Sequence, residues 1–392
     1  MITVKLMVDA AHVMLYAVIA EIAALTLLSS SEGLRKKLES KGIMVSPFMV
    51  MVDVGKVPRF KRLTSSKVTR GFFLVAGLLN FSALLAVLYW QVLPSLYGLF
   101  NADISGGGKA SSPFVPVIPG LTIGLNVFPY ILIALSIGVA LHEFFHALAA
   151  YSVGWRVDAW GVGLFLIFPL AYVKPNEDDY KGASLKAKAT VLTAGVLANT
   201  VLFLISMPLL PVVASQIVTA PTIVGVMNSS EELPAIKAGV EVPSVILSVN
   251  GTPVKSVYQF IDMLTPYRNT TVLIRLKLAK AEIVNDEVRF DPNSTADYLV
   301  RKPAGSMIGV YLQDLPVYGT SSLAIEWTRF LYWMEIVNIS LGIINAAPLY
   351  ISDGGRLISE ALGGRRILNH LIQGGTAAAI VILLIVGLLR FI

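Results

Sequence analysis

The sequence predicts a polytopic α-helical membrane protein with about six transmembrane helices and one inserted extracytoplasmic α+β domain. Hydrophobic residues make up 55% of the chain and charged residues only 14%, whereas soluble proteins contain about 25% charged residues. Six stretches are long and apolar, and the region between the fourth and the fifth is instead rich in charges and turns. These observations exclude an ordinary soluble globular protein.

The six apolar stretches are the predicted transmembrane helices, because a span needs about 20 mostly apolar residues. They cover residues 8–29, 71–97, 121–151, 186–213, 323–347 and 371–391. The fifth stretch runs into Asn345, Pro348 and Asp353. Since proline removes a backbone donor, we expect the helix to break at this point, which is tolerated where the backbone lines a polar cavity.

The positions of Lys and Arg predict the orientation in the membrane. Residues 30–70 contain ten Lys or Arg residues and only three Asp or Glu residues, so this loop is expected to be cytoplasmic. Alternation of the spans then places residues 214–318 outside the cell. Because no nucleic-acid-binding motif is visible, we predict no nucleic-acid partner for the basic residues.

Residues 214–318 have the pattern of a small soluble α+β domain. Short β-branched runs occur at Val245–Val249, Thr271–Leu276 and Met307–Leu312, and Asn250-Gly251 is a turn signal. Acceptor sequences for N-glycosylation are consistent with a surface outside the cell, although chance is an equally good explanation in a region rich in Asn, Ser and Thr. They begin at Asn228, Asn250, Asn269 and Asn293.

The apolar stretch 153–175 is short for a span and contains three glycines and two prolines. We interpret it as an interfacial β-hairpin or a re-entrant segment close to the polar residues 142–146 of the preceding span. A seventh, partial span is the competing interpretation.

The third apolar stretch carries His142-Glu143-Phe144-Phe145-His146, an HExxH motif. A spacing of four places both imidazoles on one helix face, where they can bind one Zn²⁺ ion per chain. Glu143 would then accept a proton from a water activated by the metal. The alternative is that these polar residues lie in the headgroup region and are merely solvated, but three ionisable residues in an apolar helix favour a functional site.

A third protein ligand is needed if a catalytic zinc is to keep one open position. The chain has no cysteine, and Asp353 at the helix break is the best candidate, with a helix N-cap as its alternative role. His12 and His370 sit in no motif and are interpreted as interfacial. Asn199 is the lone amide in the fourth span. Its side chain is expected to join two helices by a hydrogen bond, to contact the substrate or to orient a metal ligand. Asn345 is a candidate donor to the oxyanion of the substrate.

These residues together resemble the site-2 proteases, the zinc-dependent intramembrane proteases. The resemblance rests on the HExxH motif, on Asn345-Ala346-Ala347-Pro348 followed by Asp353-Gly354, and on Gly195 followed four positions later by Asn199. Two positions depart from the family pattern: Ser352 replaces an apolar residue, and Val196 replaces a proline. Residues 161–173 resemble the family's membrane-associated segment that closes onto the active site.

The inserted domain resembles a PDZ domain of the bacterial protease type through residues 233–240 and 246–251. By this resemblance Pro221–Val226 would line a peptide-binding groove, since PDZ domains bind an extended chain as an added strand. Ser244 and the proline before it replace the usual Gly-Asp.

The site-2 protease resemblance implies a protease that cuts single-pass transmembrane substrates in the cell membrane, after trimming by an upstream site-1-type protease. The zinc site would face the cytoplasmic side and membrane lipid would surround the helices. The alternatives are a membrane metalloprotease with soluble or prenylated substrates, a metal transporter, and a non-catalytic PDZ scaffold. The sequence does not specify the oligomeric state.

The resulting domain organisation has five parts. Residues 1–120 hold helices 1–2 with the basic cytoplasmic loop, and residues 121–213 are the first part of the catalytic membrane core. Residues 214–318 form the extracytoplasmic PDZ-like domain. Residues 319–360 complete the core with Asp353, and residues 361–392 form the C-terminal transmembrane helix.

Overall fold

The computed structural model describes residues 2–55, 66–101, 112–227 and 233–389, and only the backbone of residues 2–15. The sequon at Asn228 and the side chain of His12 therefore lie outside the described part. The chain forms two compact units. One contains Met1–Pro208 with Arg329–Ile392, and the other contains Leu209–Thr328.

Helices dominate the first unit. In chain order they are α1 (Ile2–Ser30), α2 (Glu32–Glu39), α3 (Lys67–Phe100), α4 (Phe128–Ser152), α5 (Glu177–Lys181) and α6 (Leu185–Ala214). After α7 (Pro234–Lys237) and α8 (Val257–Leu264) of the second unit come α9 (Ser322–Ala346), α10 (Asp353–Leu362) and α11 (Arg366–Leu388). The chain leaves the helical conformation between α9 and α10, so the predicted break after Asn345 is confirmed.

Four helices in the described ranges are long and apolar enough to cross a membrane: α3, α4, α6 and α11. The segment Tyr16–Ser30 and α2 together add a possible fifth span, bent by 93°. The 25-residue helix α9 does not reach the same hydropathy, because Glu326, Arg329 and Glu335 interrupt its apolar sequence. The chain is thus a multi-pass membrane protein, but the predicted number of six spans is not confirmed.

A four-stranded antiparallel sheet lies beside these helices. Its strands are β1 (Ile43–Ser46), β2 (Met49–Gly55), β3 (Val157–Phe165) and β4 (Phe168–Pro175), in that spatial order. The hairpin predicted within 153–175 is confirmed as β3–β4. The strands β1 and β2 come from the basic segment that was predicted only as a loop, and Val52 of β2 pairs with Val162 of β3.

The second unit contains a six-stranded antiparallel sheet. Its strands are β5 (Thr219–Val226), β6 (Ser244–Val249), β7 (Thr252–Pro253), β8 (Val272–Val284), β9 (Glu287–Lys302) and β10 (Val310–Pro316). The order is β10-β5-β6-β8-β9, with β7 paired to β6. The Asn250-Gly251 turn is confirmed, since both residues have positive φ, 50° and 82°. The core includes Ile223, Ile246 and Phe260.

The predicted groove lining by Pro221–Val226 is wrong, because β10 pairs along β5 and makes it an interior strand. The edge strand on this side of the sheet is β10. A cavity of about 410 Å³ lies between α8 and residues 306–312 in this unit.

Small side chains allow the helices that carry the motif residues to pack closely. Ala147, Ala149 and Ala150 of α4 are fully buried, as are Ala194 and Ala198 of α6. Small residues at helix contacts let the backbones approach one another, which is how helices associate in membranes. The HExxH face of α4 lies against the Asn199 face of α6, since His142 bonds to Asn199 and His146 bonds to the Val191 carbonyl.

Candidate metal centre

The two histidines of the HExxH motif and Asp353 converge on one point. His142 Nε2 lies 3.1 Å and His146 Nε2 3.0 Å from Asp353 Oδ2, and the two Nε2 atoms are 3.0 Å apart. The three side chains are buried, and they form a group that could hold a metal ion. The structure thus brings together the three residues predicted as ligands, although Asp353 follows His142 by 211 positions.

The opposite nitrogens of the imidazoles are engaged by hydrogen-bond acceptors. His146 Nδ1 lies 2.7 Å from the backbone carbonyl of Val191, and because a carbonyl only accepts, Nδ1 carries the proton. His142 Nδ1 lies 2.7 Å from Asn199 Oδ1, which likewise accepts. In the neutral imidazoles both Nε2 atoms therefore carry lone pairs.

Three acceptor atoms that face one another without protons between them form a site suited to a cation. Two imidazole nitrogens and one carboxylate oxygen are a donor set that suits Zn²⁺, and three protein ligands leave one position for water or substrate. Hydrogen bonds from the distal imidazole nitrogens to protein acceptors are typical of metal-bound histidines. The residues present therefore fit a catalytic zinc ion.

Gly195 of α6 provides the space in which the two imidazoles lie. A Cβ atom placed on Gly195 would be 2.5 Å from His142 Nε2 and closer still to His146 Nε2. Real Cβ atoms essentially never approach other atoms so closely, so only glycine fits at this position. The motif Gly followed by Asn four positions later thus contributes a cradle and an orienting amide on one helix face.

Glu143 is held by the neighbouring sheet. Its Oε2 atom accepts a 2.8 Å hydrogen bond from the backbone N–H of Val173 in β4. Glu143, His146 and Asp353 line one cavity of about 450 Å³, to which Trp155 and Tyr172 also contribute. The β3–β4 hairpin therefore closes one side of the site and fixes the carboxylate beside the ligands. Backbone donors leave no signal in a sequence, so Val173 could not be found there.

Asp353 is free to act as a ligand because another residue caps its helix. Ser352 Oγ accepts hydrogen bonds from the backbone N–H groups of Leu349 and Gly355 and donates to the Ala347 carbonyl. Ser352 is thus the N-cap of α10, a role for which serine is favoured. The departure from the family pattern at this position has a local structural reason, and the alternative interpretation of Asp353 as the cap is wrong.

An ion pair joins α10 to α6 near the cavity. Lys188 Nζ lies 2.7 Å from Glu360 Oε2, and the hydroxyl of Tyr180 donates to Glu360 Oε1 at 3.1 Å. Tyr180 lies in α5, and burial together with the nearby Glu360 raises the pKa of its phenol to about 12. The phenol therefore remains a donor at physiological pH, and the network fixes the helix that carries Asp353.

The two predicted asparagines occupy different surroundings. Asn199 is fully buried and bonds to His142, which matches the role of orienting a metal ligand. Asn345 donates from Nδ2 to the Leu341 carbonyl of its own helix at 3.0 Å, and it is not among the residues that line the cavity. His370 lies 3.0 Å from the hydroxyl of Tyr350, outside the ligand group. Sequence reasoning missed Asn338, which contacts Asn199.

Comparison with known proteins agrees with this geometry. The chain is 27% identical over 231 residues to an uncharacterised protein of Methanocaldococcus jannaschii, and the match covers 58% of this chain and 56% of that protein. The chain therefore spans little more than half the length of that relative. The model of peptidase family M50 matches residues 130–387, more than half of the chain and all three candidate ligands. The chain belongs to peptidase family M50, the site-2 protease family of zinc metalloproteases, as its motifs predicted.

Proposed function

We propose that this protein is an intramembrane zinc metalloprotease that hydrolyses a peptide bond within transmembrane segments of membrane-anchored substrates. The observation that carries the proposal is the convergence of His142, His146 and Asp353, together with a cavity that His146, Asp353 and Glu143 line. Two helices that line this cavity, α4 and α6, are apolar enough to cross a membrane, and β4, α5 and α10 also contribute to the lining. Membership of family M50 supports the same reaction class.

Glu143 acts as the general base in this proposal. A bound Zn²⁺ would polarise the peptide carbonyl and lower the pKa of a water molecule. Glu143 accepts the proton of the attacking water and transfers it to the leaving amine, as general acid–base catalysis requires. The hydrogen bond from Val173 to its Oε2 leaves Oε1 available for this transfer.

Two asparagines assist the site in this proposal. Asn199 holds the His142 imidazole with Nε2 directed at the metal. Asn345 is proposed to donate to the substrate oxyanion, which requires its amide to leave the Leu341 carbonyl when substrate binds. These roles differ in their expected kinetics, since loss of Asn199 weakens metal binding and loss of Asn345 lowers kcat alone.

The natural substrates are proposed to be single-pass transmembrane proteins, already shortened outside the cell by a site-1-type protease. The β-sheet domain at Leu209–Thr328 is proposed to be PDZ-like and extracytoplasmic. Its groove between α8 and residues 306–312 lies beside the edge strand β10, and an edge strand is where an extended peptide can add. Lipid surrounds the helices, and the zinc site is proposed to face the cytoplasm.

The test is the variant Glu143→Gln in detergent or liposomes. It should bind one zinc ion per chain yet fail to cleave a model single-pass substrate, because the amide cannot accept the proton. Glu335→Gln is a matched control, since this carboxylate lies in α9 and does not line the cavity; it should retain cleavage. Undiminished cleavage by Glu143→Gln would refute the mechanism, and cleavage of soluble peptides alone would refute the proposed substrate class.

A further inference from the structure

Asn338 is a fully buried amide in the middle of α9, next to the metal centre but not part of it. Its side chain has no solvent exposure. Its Nδ2 donates to the Met334 carbonyl at 2.9 Å, and its Oδ1 accepts a 3.1 Å hydrogen bond from Asn199 Nδ2. A buried amide with both ends engaged between two helices has one defined orientation, since any other leaves polar atoms unsatisfied.

The orientation of each amide in this chain of hydrogen bonds is set by a backbone carbonyl. The Met334 carbonyl can only accept, so it fixes Nδ2 of Asn338 and turns Oδ1 towards Asn199. Asn199 Nδ2 then donates to Asn338 Oδ1 and to the Gly138 carbonyl at 3.3 Å. Asn199 Oδ1 is left facing His142 Nδ1 at 2.7 Å. The proton of His142 is therefore held on Nδ1.

We propose that Asn338 is a positioning residue that acts through Asn199 to hold His142 in the tautomer whose Nε2 lone pair binds the metal. The inference rests on the proposed metal centre. If Asn338 offered no acceptor, only the longer hydrogen bond to the Gly138 carbonyl, at 3.3 Å, would hold the Asn199 amide in this orientation. The amide could then turn over and present its NH₂ group to His142. His142 would then accept at Nδ1 and carry its proton on Nε2, where the metal must bind.

The packing around Asn338 is built for this contact. A Cβ atom at Gly138 of α4 would lie 2.7 Å from Asn338 Oδ1, so the glycine is needed for α9 to bring its amide this close. Gly138 lies one turn before His142 on the same helix, and its carbonyl also receives Asn199. These hydrogen bonds thus connect α4, α6 and α9 close to His142.

The experiment compares zinc affinity in the full-length protein by competition with a chromophoric chelator. The variants are Asn338→Ala and Asn338→Ser. The serine hydroxyl can still bond to the Met334 carbonyl of its own helix, but it is too short to reach Asn199, so this variant removes the acceptor with less effect on folding. We expect both variants to bind zinc about tenfold more weakly. This is the lower end of the loss of affinity seen when residues that hydrogen-bond to metal ligands are replaced.

Asn345→Ala is the matched control for zinc affinity. Asn345 lies on the same helix and makes the same kind of backbone bond four residues back. It should leave zinc affinity unchanged. A second readout is the ¹⁵N spectrum of the imidazoles, which is simple because the chain has only four histidines. The His142 Nδ1–H signal should shift or disappear in the Asn338 variants and persist in Asn345→Ala.

The double variant Asn199→Ala with Asn338→Ser separates positioning from a general loss of packing. If Asn338 acts through Asn199, its replacement causes no further loss of affinity once Asn199 is gone. An unchanged zinc affinity and ¹⁵N spectrum in Asn338→Ser would overturn the proposal, and so would an equal loss in both backgrounds. If the unsubstituted protein itself binds no zinc, the proposed metal centre is refuted. That result differs from the two outcomes that would refute only the role of Asn338.

Discussion

Replacing Gly195 with alanine should strongly weaken zinc binding, because the added methyl group occupies the space of the ligand atoms. A Cβ at this position would lie 2.5 Å from His142 Nε2, whereas ordinary contacts begin at 3.4 Å. The imidazole must therefore retreat by about 0.9 Å to reach an ordinary contact distance. Metal–ligand distances tolerate changes of about 0.2 Å, so neither imidazole can keep its place.

The expected loss of zinc affinity in Gly195→Ala is about 100-fold or more. Residues that merely orient ligands cost 10- to about 100-fold when replaced, and here the ligands themselves are displaced. A 100-fold loss corresponds to about 2.8 kcal/mol of binding free energy. The assay is competition against a chelator of known affinity, with total zinc measured on the same samples.

Gly375→Ala is the control for this substitution. Gly375 lies in α11, and a Cβ placed on it would meet nothing within 4 Å. This variant should bind zinc like the parent and gain up to about 1 kcal/mol of stability, since alanine favours helix over glycine. A Gly195→Ala variant that binds zinc within threefold of the parent would refute the assigned position of the ligands.

Two further predictions concern the helix that carries Asp353. Lys188→Met leaves the half-buried Glu360 without its cation and should lower stability in detergent by about 1–2 kcal/mol. The loss is smaller than for a fully buried pair because Glu360 is partly solvated. The control Lys186→Met changes an exposed lysine on α6 and should not alter stability, so equal melting temperatures for the two variants would contradict this prediction. Ser352→Ala removes the N-cap of α10 and should cost about 1 kcal/mol in thermal unfolding, so an unchanged melting temperature would show that the cap is dispensable.

The ligand set could be predicted from sequence because each member carried a local signal. His142 and His146 share one helix face through their spacing, and Asp353 stands at a proline-interrupted helix end in an otherwise apolar region. Asn199 was visible as an amide alone in an apolar span. In each case a polar residue stood where burial is costly, and the structure brings all four together.

The remaining parts of the site depend on contacts that are remote in sequence. Strand β2 pairs with β3 across about a hundred residues, and β1 pairs with β2, so a basic segment with short apolar runs was interpreted as a loop. Val173 contributes only its backbone N–H. Asn338 sits in a stretch where Asn345 already explained the polar character, and only packing distinguishes the amide that bonds to Asn199 from the one that bonds to its own helix.

The most direct test of the metal centre is X-ray absorption at the zinc edge on the purified protein and on Asp353→Ala. We expect one zinc per chain with two imidazole nitrogens at about 2.0–2.1 Å and carboxylate or water oxygens at about 2.0–2.2 Å. In Asp353→Ala one oxygen ligand should be lost, or zinc should be absent. A zinc environment without imidazole, or one that is identical in Asp353→Ala, would contradict the assignment of His142, His146 and Asp353 as ligands.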